Sequence, residues 1–181
     1  YTEGWNMAVA DLSEPGSTFK TMSLMVALDY NVCDTADTVN INHGVWMFHK
    51  SKMTDHNWRK GGYDTLSVAG ILAQSSNVGV SRIIDEHYKN DPMKFIDAVK
   101  ATGFADKLEL GIPGTATPTI PTPKSKSWSG VTLPWMSIGY TVQVPPIYTL
   151  NFYNAIANGG KMMRPYVVKE IRRDGHTILK N

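Results

Sequence analysis

The sequence predicts an α+β domain of the multi-layer kind, rich in helix, with its strands mainly at the C-terminal end. Three observations point there. Five segments carry apolar residues at helical spacing, and one hairpin signature lies near the C-terminus. The composition, 42% hydrophobic and 19% charged over 181 residues, suits a single folded domain with a real core.

The first helix follows Pro15-Gly16, with Phe19, Leu24, Met25 and Leu28 as its apolar positions. The second is expected after Asp64 as N-cap, placing Leu66, Ala69 and Leu72 on one face. A third starts near Asn77 and carries Val80, Ile83, Ile84 and His87. The fourth has Asp91 as cap and Pro92 in its first turn, then Phe95, Ile96 and Val99, and stops at Gly103. Pro145 and Pro146 start the fifth; Ile147, Leu150, Tyr153 and Ile156 form its expected buried stripe, and Gly159-Gly160 end it. Tyr166-Val167-Val168 and Thr177-Ile178-Leu179 flank Asp174-Gly175 as a hairpin, and a lone hairpin is too marginal to stand outside a larger sheet.

Two stretches read as irregular. One runs from about Asp34 to Gly62, and the other, crowded with Pro113, Pro118, Pro121 and Pro123, runs from Gly111 to Gly130. Trp46, Trp58 and Trp128 within them require burial, so neither is a linker. The net charge of +2 is mild and the basic residues are scattered, which excludes a nucleic-acid partner. The single cysteine, Cys33, forms no intrachain disulfide and is expected to be buried and inert. Five histidines at no zinc-like spacing argue against a metal, and no cofactor is expected. No apolar run reaches the ~18 residues of a membrane span. The opening at Tyr1 rather than Met suggests a trimmed product whose anchor lies outside the sequence.

Two short patterns carry chemistry. Ser17-Thr18-Phe19-Lys20 places a hydroxyl and an amine three residues apart at a helix start, on one face and within mutual reach. A serine needs a base to become a nucleophile, and lysine serves only if desolvation or positive potential lowers its pKa. The first turn supplies positive potential and free N–H groups for a developing oxyanion. Serine at a helix start is also commonly just a cap, and about one Ser-x-x-Lys match arises by chance in a chain this size. Ser75-Ser76-Asn77, between the second and third helices, offers a hydroxyl that can relay a proton and an amide that can hold a carbonyl. The same residues also satisfy orphan backbone groups at helix junctions.

Taken together and in order, these segments resemble class B penicillin-binding proteins. Asn6-Met-Ala-Val-Ala-Asp-Leu-Ser-Glu-Pro-Gly-Ser-Thr-Phe-Lys20 is similar to that family's nucleophile segment, and Gln74-Ser-Ser-Asn-Val-Gly-Val-Ser81 to its second motif. Ser137-Ile-Gly-Tyr140, the helix to Asn158-Gly-Gly160 and Arg164-Pro-Tyr-Val167 resemble its later scaffold. Trp128-Ser-Gly-Val-Thr-Leu-Pro-Trp135 is closest in character to the division-associated transpeptidases of Bacteroidetes-like bacteria. The resemblance implies a partial β-lactamase/transpeptidase-like fold with much of the central sheet missing. It implies Ser17 as nucleophile, Lys20 as base, Ser75 as proton relay, Asn77 holding the substrate amide while bonding Lys20, and Ser76 in substrate binding. The implied partners are peptidoglycan stem peptides ending in two D-alanines, β-lactam antibiotics and other cell-division proteins, at the periplasmic face of the inner membrane.

The family's third motif, Lys-Thr/Ser-Gly, is absent from residues 1–181, as are the early strands before the nucleophile. The chain is therefore expected to be a partial transpeptidase domain, poorly active or inactive alone. A serine β-lactamase or β-lactam sensor shares the Ser-x-x-Lys chemistry, and a non-catalytic module of a division complex is a third expectation.

Overall fold

The computed structural model describes residues 4–180. Tyr1 and Asn181, the ends of the expected domain, lie outside the described residues. The chain builds helices α1 (Met7–Ala10), α2 (Lys20–Asp29), α3 (Val68–Ala73), α4 (Asn77–Tyr88), α5 (Pro92–Ala101), α6 (Thr132–Ser137) and α7 (Pro146–Ala157). Its strands are β1 (Thr38–Asn40), β2 (Val45–Phe48), β3 (Ser51–Thr54), β4 (Thr65–Ser67), β5 (Glu170–Arg173) and β6 (His176–Lys180). Among the described residues they pair as three antiparallel two-stranded sheets, β1 with β4, β2 with β3 and β5 with β6.

The mixed class is the one the sequence predicts, but the strands are distributed differently. Four of the six lie between Thr38 and Ser67, inside the stretch expected to be irregular or helical. Leu66, assigned to a helical face, sits in β4 opposite Val39. The helix that follows is capped by Ser67, whose hydroxyl accepts the Gly70 N–H at 3.0 Å, instead of by Asp64. Helix α4 begins at Asn77 as expected, capped by Ser76. The hairpin turns at Asp174 and Gly175, both in the left-handed region, but β5 begins at Glu170 and leaves Tyr166–Val168 outside it.

One apolar core runs through the molecule. Met22, Leu24 and Val26 of α2 meet Ile71 of α3, Val78, Val80, Ile83 and Ile84 of α4, and Phe95, Ile96 and Val99 of α5. Phe152 and Tyr148 from α7 join it, with Phe104 packed edge-on against both Phe19 and Phe152. The buried face of α7 is thus Tyr148, Asn151, Phe152 and Ala155. The predicted stripe is displaced outward: Leu150 is 55% and Ile156 45% exposed. Trp46, Trp58 and Trp128 are half-buried, as is Cys33; burial, then Asp37 and Asp34, pushes its thiol pKa up.

A chain of serines ties three helices together inside this core. The Ser23 hydroxyl of α2 donates to the Ser137 carbonyl at 2.7 Å, and Ser81 of α4 donates to the Pro134 carbonyl of α6 at 2.7 Å. Ser81 and Ser137 hydroxyls meet at 3.0 Å. These bonds fix the helices that present Lys20 and Asn77 relative to each other. Among the described residues no helix is long and apolar enough to cross a membrane.

Candidate active site

Ser17 lies in a 3₁₀ turn, Gly16–Phe19, that runs directly into α2 at Lys20. The turn is pinned by backbone contact. Gly16 donates its N–H to the Gly139 carbonyl at 3.1 Å, and a Cβ on Gly139 would fall 2.1 Å from the Gly16 carbonyl oxygen. Gly139 also sits at φ +83°, so the close approach and the conformation both demand glycine. On the other side, Tyr153 of α7 donates its hydroxyl to the Thr18 carbonyl at 3.0 Å and shares a 2.9 Å hydrogen bond with Thr21. Ser17 emerges exposed, one turn ahead of Lys20, whose N–H donates to the Ser17 carbonyl.

Lys20 is 1% exposed. Its ammonium donates to the Ser75 carbonyl at 2.5 Å and to the Ser75 hydroxyl at 3.0 Å. Burial lowers its pKa from 10.5 to about 8, outweighing the Asp55 carboxylate, which pulls it upward. At neutral pH about a tenth of the amine is then unprotonated and able to accept a proton.

Ser75 occupies the joint between α3 and α4 with φ +50°, a left-handed conformation unusual for serine. Asn77, half-buried, donates its amide to the Thr54 carbonyl at 2.9 Å. The expected bond from Asn77 to Lys20 is not formed; the ammonium is taken by Ser75. Ser76, expected to touch substrate, is instead 1% exposed. Its hydroxyl accepts the Gly79 N–H at 2.9 Å and donates to Asp55 Oδ2 at 2.6 Å, a capping role.

Asp55, which in the sequence offers no paired-carboxylate signal and is assigned no role there, meets the Ser75–Asn77 turn in the structure. It is 4% exposed, just beyond β3, and its Oδ1 accepts the Val78 N–H at 2.9 Å. Its own N–H donates to the Gly44 carbonyl at 2.8 Å. No local pattern marks it, because the partner hydroxyl lies 21 residues away. A lone acid between Thr54 and His56 was the whole signal.

The structure thus joins Lys20 to Ser75, ties Ser76 and Asn77 to the end of β3, and links Ser17 to Lys20 through one helical turn. Chemically, that is an exposed hydroxyl at a helix start, one turn before a buried lysine of lowered pKa whose amine is in contact with a second hydroxyl, that of Ser75. Among the described residues no group of three or more His, Cys, Asp or Glu is placed to hold a metal ion.

The model of the penicillin-binding protein transpeptidase domain matches residues 3–180. The chain is 29% identical over 158 residues to the probable peptidoglycan D,D-transpeptidase PbpC of Pseudomonas aeruginosa, covering 87% of this chain and 26% of that protein. It is 29% identical over 166 residues to the peptidoglycan D,D-transpeptidase FtsI of Buchnera aphidicola, covering 92% of this chain and 27% of that one. The chain therefore spans about a quarter of the length of these curated relatives. The fold is similar to the apo transpeptidase domain of penicillin-binding protein 3 from Burkholderia pseudomallei, with a TM-score of 0.77 and 26% identity over 95% of this chain and 49% of that one.

Proposed function

Because the chain belongs to the penicillin-binding protein transpeptidase domain family, we propose that it carries the acyl-transfer half-site of a peptidoglycan D,D-transpeptidase, with Ser17 as nucleophile and Lys20 as base. The observation that carries this is the buried Lys20 amine, lowered to a pKa of about 8 and bonded to the Ser75 hydroxyl.

Ser17 Oγ attacks the carbonyl carbon between the two terminal D-alanines of a stem peptide, and its proton passes to neutral Lys20. The C–N bond breaks; the proton moves from Lys20 by way of the Ser75 hydroxyl to the departing amine, which leaves as free D-alanine. The resulting ester on Ser17 is opened by an amine of a neighbouring stem, whose lost proton returns through the same pair. The new amide is the cross-link, and Ser17 is restored. Asn77, at the start of α4 with its amide nitrogen bonded to the Thr54 carbonyl of β3, is assigned to accept the substrate's amide N–H at its amide oxygen. A β-lactam acylates Ser17 by the same attack, its ring amide taking the place of the D-alanyl bond. On this reading the peptidoglycan substrate calls for a site at the periplasmic face of the inner membrane, and we infer cell-division proteins as its partners.

The test is labelling of the full-length protein with a fluorescent penicillin, followed by mapping of the adduct. A stoichiometric, slowly hydrolysed ester on Ser17, lost in Ser17→Ala, is expected. No adduct, or an adduct on another residue, overturns the assignment. Rapid turnover of the penicillin would instead make the protein a β-lactamase.

A further inference from the structure

Beyond the nucleophile and its base, and resting on the proposed acyl-transfer function, we propose that Asp55 is a positioning residue: its buried carboxylate clamps the Ser75–Asn77 turn so that Ser75 is held against Lys20. The two oxygens of this carboxylate take the Ser76 hydroxyl at 2.6 Å and the Val78 N–H at 2.9 Å. They therefore grip the chain immediately after Ser75 and immediately after Asn77. Hydrogen bonds to an ionised acceptor are roughly twice as strong as neutral ones. The N-terminus of the 12-residue α4 adds its positive potential to the grip.

Such a clamp is needed because Ser75 sits at φ +50°. A non-glycine residue in that region is strained and persists only where its surroundings over-determine it. The conformation is also the one in which both the carbonyl and the hydroxyl of Ser75 reach the Lys20 ammonium. Released from Asp55, the turn relaxes and the relay loses its alignment. Misplacements of this kind cost roughly ten- to a hundredfold in rate.

The same carboxylate acts on Lys20 through its field. Burial lowers the pKa of Lys20 and the Asp55 carboxylate raises it, while Ser75 offers it only neutral oxygens. Removing the charge while keeping the shape must therefore lower the pH at which Lys20 loses its proton.

The experiment measures the rate of Ser17 acylation by a fluorescent penicillin across pH in the full-length protein. The proteins compared are wild type, Asp55→Asn and Asp55→Ala. Asp55→Ala is expected to acylate roughly ten- to a hundredfold more slowly. Asp55→Asn keeps an acceptor oxygen and the side-chain shape, so it is expected to lose less rate but to shift the acid limb of the profile to lower pH. A merely structural residue would change the amount of folded protein and leave that midpoint in place. If Asp55→Ala does not fold, the Asp55→Asn profile decides alone. Wild-type rate and wild-type midpoint in Asp55→Asn overturn the inference. Absence of a Ser17 adduct in the wild type itself overturns the proposed function and with it this inference.

Discussion

Lys20 suits the proposed role of base because it is both buried and only partly compensated. A lysine that is 1% exposed with one distant carboxylate to support its charge gives up its proton near pH 8, where an exposed lysine stays protonated past pH 10. Ser17 acylation in the full-length protein is therefore expected to rise with pH to a plateau, with a midpoint near 8. Lys20→Arg keeps the positive charge but cannot lose its proton, so the plateau rate should fall on the order of a thousandfold and the rise with pH should vanish. A pH-independent rate in the wild type would rule out Lys20 as the base. The same shift has a thermodynamic side. The folded pKa lies below the unfolded one, so the unfolded chain binds more protons between about pH 8 and 10.5. The penalty for burying the ammonium is fully present below pH 8 and is relieved as pH rises through that window. Wild type should gain on Lys20→Met by at most about 2 kcal/mol between pH 7 and 10.5, after discounting for residual solvent screening. Urea melts of both proteins at a series of pH values measure the difference, and a constant offset would count against the lowered pKa.

At the scale of elements, the site depends on how closely backbones meet. The turn bearing Ser17 rests on Gly139, where any side chain would strike the Gly16 carbonyl. Gly159, in contrast, has a similar φ of +64° but open space around it. Gly159→Ala should therefore cost only the conformational term, about 1 kcal/mol. Gly139→Ala should cost at least ~2 kcal/mol more and slow Ser17 labelling in whatever protein still folds. Equal melting temperatures for the two variants would contradict this account of the turn. The elements also differ in how legible they were. Helix α4 was readable because Asn77 starts it and Val80, Ile83 and Ile84 follow at one-turn spacing. Ser-x-x-Lys and Ser-Ser-Asn were readable because each pattern is local. For helix α7 the periodicity points the wrong face inward, since Pro146–Ala157 carries apolar residues all round and a spacing of three picks out Leu150 and Ile156 as readily as a spacing of four picks out Tyr148 and Phe152. Strands β1 to β4 escaped notice because each is only three or four residues long among polar turns. Asp55 escaped because its partners, Ser76 and Val78, meet it only through the fold.

Across the whole molecule, burial is sharply uneven, and stability must follow it. Met22, Ile71, Val78, Val80, Ile84, Phe95 and Ile96 are all within 1% of complete burial, and the serine chain crosses the same region. The residues of the proposed site hang from this densely packed part. By contrast, every residue of β6 is exposed, and of β5 only Glu170 is partly covered. A two-stranded hairpin without a packed face is marginally stable in water. In residues 1–181, backbone amides of β5 and β6 should therefore exchange with solvent nearly as fast as unstructured chain. Amides in the middle of α2 and α4 should exchange only through global unfolding. The distinction has a denaturant signature: low urea should leave hairpin exchange unchanged, while the slow amides of α2 and α4 accelerate with the full unfolding slope. Exchange of both groups on one common slope would mean that the hairpin is part of the cooperative core. The apolar residues on the outer face of α7 would then have to be reassigned to the same unit, because Leu150, Tyr153, Ile156, Ile171, Ile178 and Leu179 are the large side chains that the present packing leaves uncovered on these elements.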